Sequence, residues 1–437
     1  FPTRRSSDLE DAARLELALS RALARYAGDM QAGVLVPSDV DSRINVFPDR
    51  PSPRDALNAA AFAPDLGAWL SAVAPRDADY APLRALYADL VAQERAGGWR
   101  ASLSDGGTLR LGDAGPRVAR LRERLAELGD PSPPAPRPER FDAALEAAVK
   151  TFQRRHGLND DGIVGERAFA ALGADAGERL RQVAVNLERR RWGPDMRSPR
   201  RIVANIPDYA MRFVDGARTL HAARVVVGQR RHQTPEFSDE MTYLVVNPTW
   251  HVPRSIATQE ILPLLQEDPE YLASQNMRLV SDGPVPADPT SHDYSQYTPA
   301  SFPYRVKQNP GASNALGRVK FMFPNRFNVY MHDTPSKSLF RRDGRAFSHG
   351  CVRVQNPFEF AHAVLAPQLD DPAGTFARWL DARRERYVNL ETPIPVHIVY
   401  RTAWVDESGR PHFRADVYGR DAKVWAALEA AGLAPSL

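Results

Sequence analysis

Residues 201–227, RIVANIPDYAMRFVDGARTLHAARVVV, are where this chain changes its period. Apolar and polar residues alternate over 201–206, 209–214 and 220–227, as side chains do along an extended strand. Pro207-Asp208 and Asp215-Gly216 are turn formers set between those runs. A further run at 242–246 closes on Asn247-Pro248, and strand signals resume at 318–323, 327–332, 396–401 and 412–416. Between them one helix is expected at 256–265, followed by a long Pro-, Ser-, Asp- and Tyr-rich segment of the kind that forms a functional lid or a disordered insert. Residues 200–437 therefore read as a mostly β domain carrying an insert at 251–317.

Upstream of residue 200 the period is helical. Leu15, Leu19 and Leu23 recur four apart, and Tyr80, Leu83, Leu86, Tyr87 and Leu90 form a second stripe that stops at Gly97-Gly98. Residues 10–105 are read as a helical scaffold, with 1–9 set aside because they fit no packing pattern. Within 106–175, Val118, Leu121, Leu125 and Leu128 mark one helix and Leu145, Val149 and Phe152 another, before a last short helix near 167–172. Residues 176–199 read as a helical connector. The whole is thus a multidomain α+β chain.

Composition narrows the chemistry. The chain has 437 residues, 43% hydrophobic, with 57 basic and 54 acidic groups. Near-balanced charge argues against a nucleic-acid binder, which needs a clustered basic excess. No apolar run approaches the roughly 20 residues of a membrane span. One cysteine, Cys351, rules out intrachain disulfides, CxxC redox pairs, iron–sulfur clusters and multi-cysteine zinc sites. No cofactor or metal is expected.

That cysteine sits in the segment richest in reactive side chains. Tyr330-Met331-His332-Asp333-Thr334 is followed by Ser348-His349-Gly350-Cys351-Val352-Arg353. On extended backbone, residues two apart share a face, which puts His349, Cys351 and Arg353 together and Tyr330 beside His332. Taken singly, each residue has an ordinary structural use; together they hold the parts of nucleophilic acyl transfer. A thiol is mostly protonated at neutral pH, an imidazole can take its proton, and Arg353 can steady the anion. Backbone amides at Gly350-Cys351 can supply an oxyanion hole, and Gly350 permits close approach of a substrate. Asn356-Pro357-Phe358-Glu359 has the cap, N1 proline and N3 acid of a helix start just beyond the cysteine.

Two family resemblances rest on these motifs. Leu109-x-Leu111-Gly112…Gly115-x-x-Val118-x-x-Leu121, with Phe152-Gln153-x-x-His156-Gly157-Leu158-x-x-Asp161-Gly162-x-x-Gly165, resembles the bacterial peptidoglycan-binding domain. His332 with Ser348-His349-Gly350-Cys351 resembles the signature of L,D-transpeptidases with the YkuD-type, β-sandwich-like catalytic fold. Residues 247–256 (NPTWHVPRSI), 314–321 (NALGRVKF), His332-Asp333-Thr334-Pro335 and Gly97-Gly98-Trp99 look like the large YcbB-type branch. The resemblance implies that Cys351 attacks the carbonyl of the third stem-peptide residue of a tetrapeptide donor, releasing D-Ala and leaving a thioester. A diaminopimelate-type amine on a second stem then closes a 3→3 cross-link. It also implies His332 as general base with His349 in support, and oxyanion or substrate contacts from Tyr330, Ser348, Gly350 and Arg353. Trp250 becomes a wall of the cleft and 251–317 a capping subdomain. Carbapenems become covalent ligands, and the expected compartment is the periplasm.

Other readings are weaker. None of the five lysines has a serine three residues before it, which removes the Ser-x-x-Lys acyltransferases. No His-Glu-x-x-His occurs, which removes that class of zinc peptidase. A papain-like hydrolase shares Cys and His but places its cysteine on a helix near the mature N-terminus. An L,D-carboxypeptidase and a catalytically silent wall-binding protein complete the alternatives.

Overall fold

The secondary structure changes at residue 200, as the period does. In the computed structural model, which describes residues 3–433 apart from 76, 102, 104, 105, 194, 195, 197, 286 and 287, helices precede it and a large sheet follows. The described residues divide into two compact units, 3–197 with 205–208 and 399–433, and 198–204 with 209–398.

In the first unit the repeat of apolar residues works as expected for 106–175. Helices Pro116–Glu127, Ala143–Arg155 and Glu166–Gly173 close on a core that includes Leu121, Leu125, Leu145, Val149 and Phe152. Asp142 caps the second helix, its carboxylate accepting from Leu145 N at 2.9 Å. The expected connector is more than that. Helix Ala176–Trp192 starts in a reciprocal Asp175/Glu178 capping box and buries Leu180, Val183 and Leu187 against Tyr80, Leu83 and Leu90. The long helix Thr3–Ala32 starts inside the segment that the sequence set aside, and its expected stripe is not packed: Leu15 and Leu19 are exposed.

The C-terminal segment departs from expectation. Residues 399–433 belong to this first unit, so the sheet domain does not run to the C-terminus. Val424 and Leu428, four apart on helix Arg420–Ala430, pack with Val185 and Trp192, while Ala403 and Phe413 join the core around Leu180. An amphipathic helix must cover its apolar stripe, and this stripe is covered by helices.

The second unit is built on a nine-stranded sheet. Its strands are β1 (Arg200–Asn205), β2 (Ala210–Asp215), β3 (Arg218–Gly228), β4 (Phe237–Val246), β8 (Val319–Met322), β9 (Met331–His332), β10 (Ala346–Ser348), β11 (Val352–Val354) and β12 (Arg386–Val399). The order is β10-β3-β11-β9-β8-β4-β12-β1-β2. The remaining strands, β5 (Trp250–His251), β6 (Met277–Val280) and β7 (Arg305–Gln308), pair as a separate sheet inside the insert, in the order β5-β7-β6. The strand expected over 327–332 shrinks to two residues, because Asn325 folds the preceding segment into a turn, its side chain bonding Phe323 O, Val329 O and the N–H groups of Phe327 and Val329. Val225, Val226 and Val227 are all buried, as befits a strand covered on both faces.

Helix Pro357–Leu365 lies on this sheet through Phe360, Ala361, Val364 and Leu365, all buried. It begins where expected, with Pro357 in its first turn, but Asn356 is left-handed (φ 50°) and makes no side-chain cap. Phe360 meets Phe321 at 4.5 Å and Phe213 at 6.0 Å between ring centroids. Phe360→Ala should therefore cost about 3–5 kcal/mol, seen as a lower midpoint in chemical denaturation.

The insert has its own core, including Ile261, Leu265, Tyr294, Phe302 and Val306. The single helix expected at 256–265 is three pieces. A short α turn, Arg254–Ile256, runs into a π-helical turn, Ala257–Ile261, and then into an α segment, Leu262–Glu267. Pro263 follows Leu262 and supplies no N–H to a continuous α ladder.

Candidate active site

Strand register builds the site. β11 runs parallel to β9, pairing Val352 with Met331 and Arg353 with His332. β9 runs antiparallel to β8, pairing Lys320 with His332. Residues paired across strands share a face, so Lys320, His332 and Arg353 form one lateral row. Sequence reading gave Lys320 no role, although it lies in the 314–321 stretch quoted for the family resemblance.

The expected common face for His349, Cys351 and Arg353 does not exist. The extended segment breaks between β10 and β11, where Gly350 adopts φ 116°, a conformation that favours glycine. This turn is heavily braced. Ser348 is buried, and its Oγ donates to Cys351 O at 2.5 Å and accepts from Gly350 N at 3.1 Å. Thr234 Oγ1 donates to Gly350 O at 2.8 Å and accepts from Gly228 N at 2.9 Å. Two sequence expectations change in consequence. Ser348 is a brace whose hydroxyl is spent within the turn, and the Gly350 N–H is already donated. The Cys351 N–H has no acceptor among the described residues.

Cys351 is half-buried, and its Sγ lies 3.6 Å from Asn328 O, the contact of a protonated thiol. Burial pushes the thiol up to about 11, against hydrogen bonds from the Tyr330 N–H and hydroxyl and the positive charge of Arg353 and Lys320. Tyr330 is itself held well above the usual phenol value, by burial and by the neighbouring Cys351. Its ring stands 5.7 Å from that of His332, with the Lys320 ammonium 5.7 Å from the ring centroid.

His332 is 4% exposed. Burial lowers it to about 3, helped by Arg353 and Lys320 and opposed by the carbonyls of Asp333 and Leu316. Nδ1 bonds to Asp333 O, so that nitrogen carries the hydrogen and Nε2 is the basic one. The backbone behind it is fixed by the Asp333 carboxylate, which accepts from Arg318 N at 2.9 Å, from Thr334 N at 2.7 Å and from the Lys337 ammonium. Gly317 passes directly over this carboxylate with φ +63°; a Cβ there would meet Asp333 at 2.3 Å. Neither Asp333 nor Gly317 stood out as functional from sequence spacing alone.

The remaining expected residues separate. Arg353 keeps its Nε buried and without a hydrogen-bond partner among the described residues. His349 is exposed and bonds Glu260 Oε1 through Nε2 at 2.6 Å. Trp250 sits in β5, opposite Gln308, and packs against the core of the insert.

In chemical terms, a neutral thiol lies beside a row that pairs one neutral base with two cations. That arrangement suits proton removal concerted with attack and stabilises negative charge at sulfur and at an oxygen bound nearby.

Comparison with known proteins gives the families that the chain resembles. Residues 199–396 match the family model for the L,D-transpeptidase catalytic domain, 114–172 that for a peptidoglycan binding domain, and 2–86 that for a scaffold domain. A Haemophilus influenzae protein assigned as an L,D-transpeptidase is 33% identical over 251 residues, covering 56% of this chain and 48% of that protein. The chain thus spans about half the length of this relative. Among solved structures, the L,D-transpeptidase of Stackebrandtia nassauensis is 12% identical, with a TM-score of 0.25 over 68% of this chain and 96% of that one. A segment of the Xylanimonas cellulosilytica L,D-transpeptidase is 15% identical, with a TM-score of 0.20 over 68% and 99%. Overlaps that low carry no argument, and the assignment rests on the sequence families. Residues 199–396 thus match the YkuD family of L,D-transpeptidase catalytic domains, and 114–172 match a peptidoglycan binding domain in the same chain.

Proposed function

We propose that the protein forms 3→3 cross-links in peptidoglycan through a Cys351 thioester. One observation carries the reading most: the in-register row Lys320–His332–Arg353, with Cys351 immediately before β11 and two residues from Arg353. His332 Nε2 takes the thiol proton as Sγ attacks the carbonyl carbon of the third residue of a tetrapeptide stem. The Cys351 N–H, which has no acceptor among the described residues, receives the oxyanion. The C–N bond to D-Ala breaks, and the departing amine takes the proton back from His332. Arg353, the cation at the β11 end of that row, suits a substrate carboxylate, the group a stem peptide offers in several places. Residues 251–317 cap the cleft, with Trp250 holding the base of that cap. The unit at 114–172 keeps the enzyme on its polymer, a role exercised outside the cytoplasm, and the periplasm is the compartment we propose. A single cysteine is an advantage in an oxidising compartment, where a second thiol could trap the first as a disulfide.

The deciding experiment is incubation with disaccharide-tetrapeptides, read by mass spectrometry. A cross-linked dimer with one D-Ala released per bond is expected. Tripeptide alone identifies an L,D-carboxypeptidase, and unchanged tetrapeptide leaves a silent wall binder.

A further inference from the structure

A second polar pair meets the cysteine turn from the insert. His349, two residues before Cys351, bonds at 2.6 Å to Glu260, which stands on the π-helical turn Ala257–Ile261. That turn buries Ala257, Thr258 and Ile261 in the insert and leaves Glu260 facing out. π turns are recurrent at functional positions because they re-aim side chains that a regular helix would stagger otherwise. From the β3–β4 loop, His232 packs its ring 4.9 Å from the His349 ring. Other charged or titratable groups near the pair are Arg231, whose charge acts on His232, and Tyr271, which is acted on by the charge of Glu260. His349 and Glu260 are both open to solvent, whereas His332 is buried.

The two halves of the proposed reaction ask for different bases. Thioester formation moves a proton off a thiol inside the protein. Thioester aminolysis needs an amine that arrives from solution as an ammonium, because an alkylamine holds its proton to a pKa near 10.4. His332, buried and flanked by Lys320 and Arg353, repels such a cation. A solvent-facing carboxylate hydrogen-bonded to an imidazole attracts it.

We propose that Glu260 and His349 form the receiving site for the acceptor amine; this deepens, and rests on, the transpeptidase reading above. Glu260 attracts the ammonium and takes its first proton, which passes on to water. Because Glu260 engages Nε2–H, Nδ1 of His349 is the basic nitrogen. As the amine lone pair forms the new C–N bond at the thioester carbonyl, its second proton goes to Nδ1. The C–S bond breaks with its electron pair remaining on Sγ, and that proton returns to sulfur, restoring the thiol. Glu260 is contributed by the insert, so an acceptor is received only where the insert stands over the cysteine turn.

The test uses the full chain with a tetrapeptide donor and two acceptors, a diaminopimelate-bearing stem and hydroxylamine, which is largely unprotonated at neutral pH. The readout is the ratio of aminolysis to hydrolysis product per thioester formed, so changes in acylation drop out. For Glu260→Gln the ratio with the stem acceptor should fall at least about tenfold, the size of a lost charge-assisted contact. The ratio with hydroxylamine should hold, and Glu260→Asp should recover part of the loss. Raising the pH toward the pKa of the amine should narrow the Glu260→Gln defect. An unchanged ratio overturns the inference, as does an equal fall with both acceptors, which is what a merely structural role would give. Absence of any thioester in the unsubstituted chain overturns the transpeptidase reading, and this inference with it.

Discussion

Cys351→Ala should lose the covalent adduct that the unsubstituted protein forms with a carbapenem, seen as one added ligand mass on the intact chain. Turnover of tetrapeptide should fall by at least about 10⁴-fold, the scale at which a nucleophile's removal leaves only binding and oxyanion contacts. The substitution itself is gentle: the cysteine is half-buried, and its turn is held by Ser348 and Thr234 through backbone atoms that alanine keeps. An unchanged melting temperature should accompany the loss. An adduct that persists in the alanine variant would sink the assignment of Cys351. The unsubstituted thiol should also alkylate slowly at neutral pH. With the thiol held near 11 by burial, its iodoacetamide rate should climb continuously from pH 7 to 10 and show no plateau near 8.5.

The second large effect belongs to His332. His332→Gln should lower turnover by about 10²–10⁴-fold, the range for removing a positioned general base. The pH dependence separates this base from an ordinary histidine. Lowered to about 3, His332 is neutral and competent throughout the physiological range, so the acid limb of kcat/KM set by it falls near 3 and not near 6.5. The same shift has a consequence for stability. The unfolded chain binds a proton at this residue near pH 6.5, but the folded one does so only near 3. Between those values the unfolded state holds more protons, so stability falls as pH drops from about 6.5 toward 3. His332→Gln should flatten that part of the curve in urea titrations at a series of pH values. A limb at 6.5 that disappears with the substitution would contradict the buried, cation-flanked environment.

Local patterns carried much of the molecule. Alternation at 201–227 marks the start of the sheet because a side-chain period of two is imposed by the strand itself. The helical repeats of 106–175 likewise name the residues that fill their core. Reading failed where geometry is set by residues far apart in the chain. The short β9 could not be foreseen as two residues, since the Asn325 turn competes for its backbone groups. Residues 399–433 look like a continuation of the sheet domain, yet Val424 and Leu428 find their partners near Trp192. Ser348 reads as a site residue and folds into a brace, because its hydroxyl has two backbone partners within three residues.

The sequence by itself determined the reactive groups: one thiol, the histidines around it, and a glycine able to take the positive φ between Ser348 and Cys351. It determined them because catalysis and turn geometry each accept few residue types. Only the tertiary structure decided how those groups are charged and paired. Parallel pairing of β11 with β9, and antiparallel pairing of β9 with β8, set two cations beside His332. A π turn some ninety residues before the motif brings Glu260 onto His349. Burial and strand register act through space, and no spacing along the chain encodes them.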